Sequence, residues 1–125
     1  MSRLRLIVVA VLAAALLTPV TQASASPQLR LVRDTWRSFT AMTVPDTGLP
    51  ADNIGGALDP ATRAGYTSPT NIGAYLWSAV VAEELGVISR KELVSRVRTT
   101  LSSVDRLRRH PASGQFYNWY DPSTG

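Results

Sequence analysis

Residues 69–85 decide the fold that this sequence predicts: Pro-Thr-Asn-Ile-Gly-Ala-Tyr-Leu-Trp-Ser-Ala-Val-Val-Ala-Glu-Glu-Leu. Pro69 suits the first position of a helix, and Ser68 before it can cap the free backbone N–H groups. The side chains between Ile72 and Ala82 are apolar on nearly every face. A helix that is apolar all round is buried. We therefore predict an inner helix, ending at Gly86, that has protein on all sides.

An amphipathic helix follows after a short turn. Ser89 and Glu92 have the spacing of a capping box, with Ile88 and Leu93 as its hydrophobic staple. Because a short turn joins antiparallel helices, we expect an exposed outer helix beside the buried inner one. Its polar faces are rich in Arg, and we interpret them as a solvated surface and not as a nucleic-acid patch. One apolar stripe runs along it: Leu93, Val97, Leu101, Val104 and Leu107.

Two segments precede the inner helix. The first is a predicted helix at about 27–42, capped by Ser26, with one apolar stripe that includes Trp36. At this spacing we favour core packing for Trp36, with a sugar platform as the alternative. The second segment, residues 44–65, is rich in Pro, Gly and Asp and is predicted to be a loop. Its apolar residues favour a loop that is anchored to the core.

The composition excludes several classes of protein. The chain has 125 residues, with 13 Lys and Arg, 9 Asp and Glu, one His and no Cys. Intramolecular disulfides, thiol chemistry and metal sites rich in Cys or His are therefore excluded. With 45% hydrophobic and 18% charged residues, the sequence is not that of a disordered tail. We expect no metal and no cofactor.

The first 25 residues have the pattern of a secretory signal peptide. Two Arg residues precede an apolar run of 12 residues from Leu6 to Leu17, and Ala23-Ser24-Ala25 supplies a cleavage site. A membrane anchor is the alternative, but a span needs about 20 apolar residues. We therefore expect cleavage after Ala25. The mature chain, residues 26–125, would be secreted and would not stay in the membrane.

Residues 115–121, Gln-Phe-Tyr-Asn-Trp-Tyr-Asp, follow the last helix and favour an extended conformation. Aromatic rings interleaved with Asn and Asp are typical of carbohydrate sites. A sugar has an apolar face that stacks on a ring, and its hydroxyls bind amides and carboxylates. The alternative is a core segment whose rings point inward, and composition alone leaves both interpretations open.

Two motifs together resemble the glucoamylase-like (α/α)6-barrel family, which includes bacterial β-1,2-glucanases and a domain of cyclic β-1,2-glucan synthases. The motifs are residues 67–76, which read TSPTNIGAYL, and residues 116–121, which read FYNWYD. Residues 48–53, GLPADN, look like the loop that precedes them in the family. The resemblance runs from about Asp34 to Gly125. It implies an all-α fold, the N-terminal part of an (α/α) toroid, with a sugar cleft at one end and a short aromatic extended segment.

Together with the signal-peptide pattern, the resemblance leads us to expect an exported carbohydrate-active protein. Its parent domain would hydrolyse or transfer glycosidic bonds of a β-glucan by carboxylate acid/base chemistry without a cofactor. Domains of this kind are several times longer, so we expect residues 26–125 to be an N-terminal fragment of one. The expected partner is an oligo- or polysaccharide, and no nucleic acid is expected. The candidate catalytic carboxylates are Asp52 and Asp121, and the candidate sugar contacts are Asn71, Tyr75, Tyr117, Asn118, Trp119 and Tyr120.

Two alternatives stay open. A non-catalytic glycan-binding or helper protein would keep sugar stacking on Tyr117 and Trp119 but would not hydrolyse glycosidic bonds. The release of reducing ends from a glucan distinguishes this protein from a hydrolase. The other alternative is a truncated fragment, and the chain by itself would then be inactive.

Overall fold

The computed structural model describes residues 26–125. It has three α-helices, α1 (Pro27–Met42), α2 (Pro69–Glu84) and α3 (Arg90–Arg106), and a short 3-10 turn at Pro60–Thr62. Within residues 26–125 there is no β-strand, so the predicted all-α class is confirmed. The predicted signal peptide lies outside the described residues. Among the described helices, none is long and apolar enough to cross a membrane.

Local sequence signals explain where the helices begin and end. Ser26, Ser68 and Ser89 each cap a helix, because the side-chain oxygen of each accepts a hydrogen bond from the backbone N–H three residues later. At the end of α2, Gly86 has a φ of +68°, the left-handed conformation that favours glycine. The N–H of Gly86 donates to the Glu83 carbonyl and the N–H of Val87 to the Ala82 carbonyl. These two bonds form a Schellman motif, which turns the chain back into α3.

The core consists of two groups of buried side chains along α2. One group joins α1, α2 and α3, and in it the rings of Trp36 and Tyr75 stack at 6.0 Å with an interplanar angle of 7°. The packing role predicted for Trp36 is therefore confirmed. The other group joins the long loop, α2, the end of α3 and the C-terminal segment, through Leu49, Ile72, Leu107 and Tyr120.

The prediction that α2 is buried on all sides is wrong for the described part of the chain. Its buried residues, Ile72, Tyr75, Ala79 and Ala82, recur every three or four positions and form one face. Trp77, with 71% of its surface exposed, and Val80 lie outside that face. Within residues 26–125, the helices that pack against α2 are α1 and α3. The long loop and the C-terminal segment cover the start of α2 through Ile72, whereas Trp77 and Val80 stay open to solvent.

The long loop between α1 and α2 is anchored, as its apolar residues predicted. Leu49 is fully buried in it. The Thr100 hydroxyl donates to the Gly48 carbonyl at 2.9 Å, and the Thr47 hydroxyl donates to the Pro122 carbonyl at 2.6 Å. These two hydrogen bonds attach the loop to α3 and to the C-terminal turn.

The aromatic segment after α3 is paired, but it is not a strand. Phe116 forms an isolated antiparallel bridge with Arg109, and Tyr120 forms another with Thr67. A turn closes the first bridge, where the N–H of His110 donates to the Gln115 carbonyl. The second bridge brings the end of the segment against the residues that start α2.

Candidate functional site

The bridge between Thr67 and Tyr120 joins two of the segments that were predicted to carry the site. The Thr67 N–H donates to the Tyr120 carbonyl at 2.8 Å, and the Tyr120 N–H donates back to the Thr67 carbonyl at 3.0 Å. Both side chains are buried. In extended backbone, successive side chains point to opposite faces. The neighbouring residues Tyr66, Trp119 and Asp121 are accordingly exposed.

Tyr66 and Trp119 form an exposed aromatic pair beside this bridge. Their ring centroids are 5.2 Å apart and the planes are at 88°, so one ring meets the other edge-on. Tyr66 is 43% exposed and Trp119 is 58% exposed, so both rings keep free surface. The sequence predicted Trp119 as a sugar contact but did not identify Tyr66. The available signal was its place directly before the Thr67-Ser68-Pro69 helix start.

Asp52 and Asn71 form a polar pair next to the aromatic one. The Nδ2 of Asn71 donates to the Oδ1 of Asp52 at 2.8 Å, and the Nδ2 of Asn53 donates to the Oδ2 of Asp52 at 3.2 Å. The backbone N–H of Asp52 donates to the Tyr66 carbonyl at 2.9 Å. The loop is therefore tied both to α2 and to the aromatic pair. We call Asp52, Tyr66, Asn71 and Trp119 the aromatic–amide cluster.

Asp121, the second candidate carboxylate, has a role in the C-terminal turn. Its Oδ1 accepts a hydrogen bond from the Ser123 N–H at 2.7 Å, and its carbonyl accepts one from the Gly125 N–H. A side chain that bonds to the backbone two residues ahead stabilises a turn. Asp121 is exposed and follows the bridged Tyr120.

The remaining candidate contacts are divided between core and surface. Tyr75 is only 1% exposed and packs between α1 and α3. Tyr120 is buried, and its hydroxyl donates to the Arg108 carbonyl at 2.7 Å while it accepts from the Tyr117 N–H at 2.8 Å. Tyr117 is partly buried against Tyr120, and Asn118 is exposed. The rings of Tyr75 and Tyr120 therefore serve packing, and neither belongs to the exposed cluster.

Arg96 carries the clearest electrostatic perturbation, and it lies on α3 away from the cluster. Burial of the guanidinium lowers its pKa, but hydrogen bonds to Tyr75 and Glu92 together outweigh burial, so the pKa is raised above its ordinary value. The guanidinium also lies over the Trp36 ring, 5.3 Å from its centroid. Arg96 thus stays charged and braces the helical core.

Neither a group of metal-binding side chains nor the apolar groove between α1 and α2 coincides with the cluster. Among residues 26–125, no three His, Asp or Glu side chains are grouped so that they could hold a metal ion. An apolar groove of about 330 Å³ lies between α1 and α2, and its lining includes Trp36, Phe39, Trp77 and Val81. None of the predicted site residues lines it. The cluster is an open surface of rings, amides and one carboxylate, which suits a ligand with both apolar faces and hydroxyls.

Comparison with known proteins gives one family and one curated relative. The profile of a family described as protein of unknown function (DUF3131) matches residues 30–120. The cyclic beta-(1,2)-glucan synthase NdvB of Rhizobium meliloti (strain 1021) is 35% identical over 102 residues, which are 81% of this chain and 4% of that protein. The chain thus spans a small part of the length of this relative. No solved structure matches the chain.

The motifs predicted a resemblance to a family that includes a domain of cyclic β-1,2-glucan synthases. The similarity to one such synthase agrees with that prediction. Neither match carries a glucoamylase-like description, so that finer assignment stays a prediction. The whole aromatic–amide cluster lies within the residues that the family profile matches, whereas Asp121 lies just beyond them.

Proposed function

The chain belongs to the family described as protein of unknown function (DUF3131), and on this premise we propose that it has a β-glucan-related function, exercised by binding a polysaccharide at the aromatic–amide cluster. The observation that carries the proposal is the 35% identity to a cyclic beta-(1,2)-glucan synthase over 81% of the chain. The matched residues include most of the described structure, so the proposal concerns this surface and these helices.

The chemistry of the cluster supports a saccharide ligand. The exposed faces of Trp119 and Tyr66 can stack against the apolar face of a sugar ring. The carboxylate of Asp52 and the amides of Asn71 and Asn53 lie beside them and can bind hydroxyls. Tyr75 and Tyr120 are left out of the proposed contact surface, because their rings are buried.

A more detailed form of this proposal is that the chain is part of a carbohydrate-active domain. In it, the three helices are the start of an (α/α) toroid, residues 1–25 are removed during export, and the full domain hydrolyses or transfers β-glucosidic bonds without a cofactor. Such chemistry uses a pair of carboxylates, one protonated and one ionised. Asp52 and Asp121 are the carboxylates that we propose for the cleft.

A second candidate function, glycan binding without catalysis, is favoured by the hydrogen bonds of both carboxylates. Oδ1 of Asp121 is engaged by the Ser123 N–H, and both oxygens of Asp52 accept bonds from amides. Both carboxylates therefore serve as hydrogen-bond acceptors within the described structure. Binding requires only acceptors and rings, which these residues offer as they stand.

The test is the affinity of the full chain for cyclic β-(1,2)-glucan, measured by isothermal titration calorimetry. Loss of a ring on which a ligand stacks costs roughly 1–3 kcal/mol, so Trp119→Ala is expected to weaken binding about fivefold or more. Trp77→Ala is the matched control, since Trp77 is equally large, more exposed and outside the cluster.

Equal affinities of the two Trp variants would contradict the proposed surface. An assay for new reducing ends on the same glucan separates the two candidate functions. Binding with release supports the carbohydrate-active domain, whereas binding without release supports the non-catalytic protein.

A further inference from the structure

The role of Asp52 can be deduced from what surrounds its two oxygens. Each oxygen accepts one amide N–H, Oδ1 from Asn71 at 2.8 Å and Oδ2 from Asn53 at 3.2 Å. An ionised carboxylate has about four acceptor positions, so two amides leave the group able to accept further hydrogen bonds. Since Asp52 is exposed, those positions are open to a ligand.

Hydrogen bonds also hold Asp52 in position, since both of its carboxylate oxygens accept from side-chain amides. The backbone of Asp52 is also fixed, through its N–H to the Tyr66 carbonyl at 2.9 Å. The carboxylate is thus held in place, as an acceptor, beside the aromatic pair.

Asn71 has the features of a positioning residue for this carboxylate. It lies in the first turn of α2, where its backbone N–H donates to the Ser68 cap at 3.2 Å, so its side chain starts from a rigid element. Its Nδ2 then reaches across to the loop. Groups held by rigid elements lose little entropy when a ligand binds.

We propose that Asp52 is the hydroxyl-accepting group of the saccharide site and that Asn71 positions it. The proposal rests on the proposed function and adds the chemical role of one residue. It assigns to Asp52 the recognition of sugar hydroxyls.

Exchanging the two partners separates ligand binding from structural support. Asp52→Asn removes the negative charge and keeps only one acceptor oxygen, so the new NH2 group faces either the Asn71 or the Asn53 amide donor and one of the two hydrogen bonds is lost. The double variant Asp52→Asn with Asn71→Asp restores an amide–carboxylate bond with its direction reversed. Asp46→Asn is the matched control, because Asp46 is an exposed carboxylate of the same loop.

Affinity for cyclic β-(1,2)-glucan and melting temperature are measured for the full chain and all three variants. We expect Asp52→Asn to bind about tenfold more weakly or worse, as loss of a hydrogen bond to a charged group implies. The exchanged pair should regain the melting temperature of the unaltered chain and remain about tenfold weaker in binding. Asp46→Asn should match the unaltered chain in both.

Two results would overturn this inference alone. One is that Asp52→Asn binds the glucan with full affinity. The other is that the exchanged pair regains full affinity, which would show that binding depends on the bond between positions 52 and 71 and not on the carboxylate at position 52. If the unaltered chain does not bind the glucan at all, the proposed function fails and the inference fails with it. The unaltered chain is therefore measured first.

Discussion

At the scale of single residues, two buried threonines have opposite surroundings. Thr67 is fully buried, and among residues 26–125 its hydroxyl has no hydrogen-bond partner. Thr100 is equally buried, but its hydroxyl donates to the Gly48 carbonyl at 2.9 Å. A buried polar group without a partner costs stability, whereas a satisfied one contributes to it.

We therefore predict opposite effects of the same substitution at these positions. Thr67→Val should leave the free energy of unfolding unchanged or raise it by about 1 kcal/mol, because it removes an unpaired hydroxyl. Thr100→Val should lower it by about 1–3 kcal/mol, because it also leaves the Gly48 carbonyl without this donor. Urea unfolding of both variants measures the difference. A larger loss in Thr67→Val than in Thr100→Val would contradict the assignment.

Residues of the candidate site could be predicted from the sequence only where the residue type and its motif are typical of sugar binding. Asp52, Asn71 and Trp119 were selected as candidates by their type and motif, and they lie in one cluster. Tyr66 was missed because its edge-on contact with Trp119 depends on the pairing of Thr67 with Tyr120. Tyr75 was assigned to the ligand from the same motif, although the packing of α1 against α2 buries it.

At the scale of elements, the helices could be predicted well because their start and stop signals are local. Serine caps, prolines in the first turn and the glycine after α2 fix the ends without reference to the rest of the fold. The aromatic segment was harder. Its residues favour an extended conformation, but isolated bridges depend on partners far along the chain, and no periodicity in the segment reveals them.

Two glycines with the same backbone conformation should respond differently to alanine. Gly48 and Gly86 have φ values of +67° and +68°. At Gly86 an added Cβ meets nothing within 4 Å, whereas at Gly48 it would lie 2.9 Å from the Thr100 backbone nitrogen. Gly86→Ala should therefore cost about 1 kcal/mol from backbone strain alone, and Gly48→Ala about 2 kcal/mol or more, since overpacking adds to the strain.

Chemical denaturation of both alanine variants tests this difference. Gly48→Ala should in addition weaken binding of the glucan, because the loop that it would displace leads directly to Asp52. Equal stability losses, or an affinity unaffected by Gly48→Ala, would show that the loop tolerates the displacement.

At the scale of the whole molecule, α2 is covered by α1, α3, the long loop and the C-terminal segment, and one part of its apolar surface is open. Its exposed residues include Trp77 and Val80, and Leu31 of α1 and Leu101 of α3 are exposed as well. The apolar composition of α2 predicted an inner helix, but composition shows only which side chains can be buried. Tertiary contacts decide which neighbours cover the helix, and among the described residues the buried side chains of α2 form one face.

Two tryptophans on this framework should differ sharply in their contribution to stability. Trp36 is buried and stacked on Tyr75, so Trp36→Ala should cost about 3–5 kcal/mol. Trp77 is 71% exposed, so Trp77→Gln should change the free energy of unfolding by less than about 0.5 kcal/mol. Thermal and urea unfolding of both variants check this. A large loss in Trp77→Gln would mean that the open face of α2 is covered in solution.

The most direct test of the proposed glucan site is an NMR titration of the full chain with cyclic β-(1,2)-glucan. The chain has three tryptophans, so three indole N–H signals report on three places at once. We predict that the Trp119 signal and the side-chain amide signals of Asn71 and Asn53 shift with ligand, while the signals of Trp36 and Trp77 stay fixed. Shifts at Trp77 with none at Trp119 would contradict it.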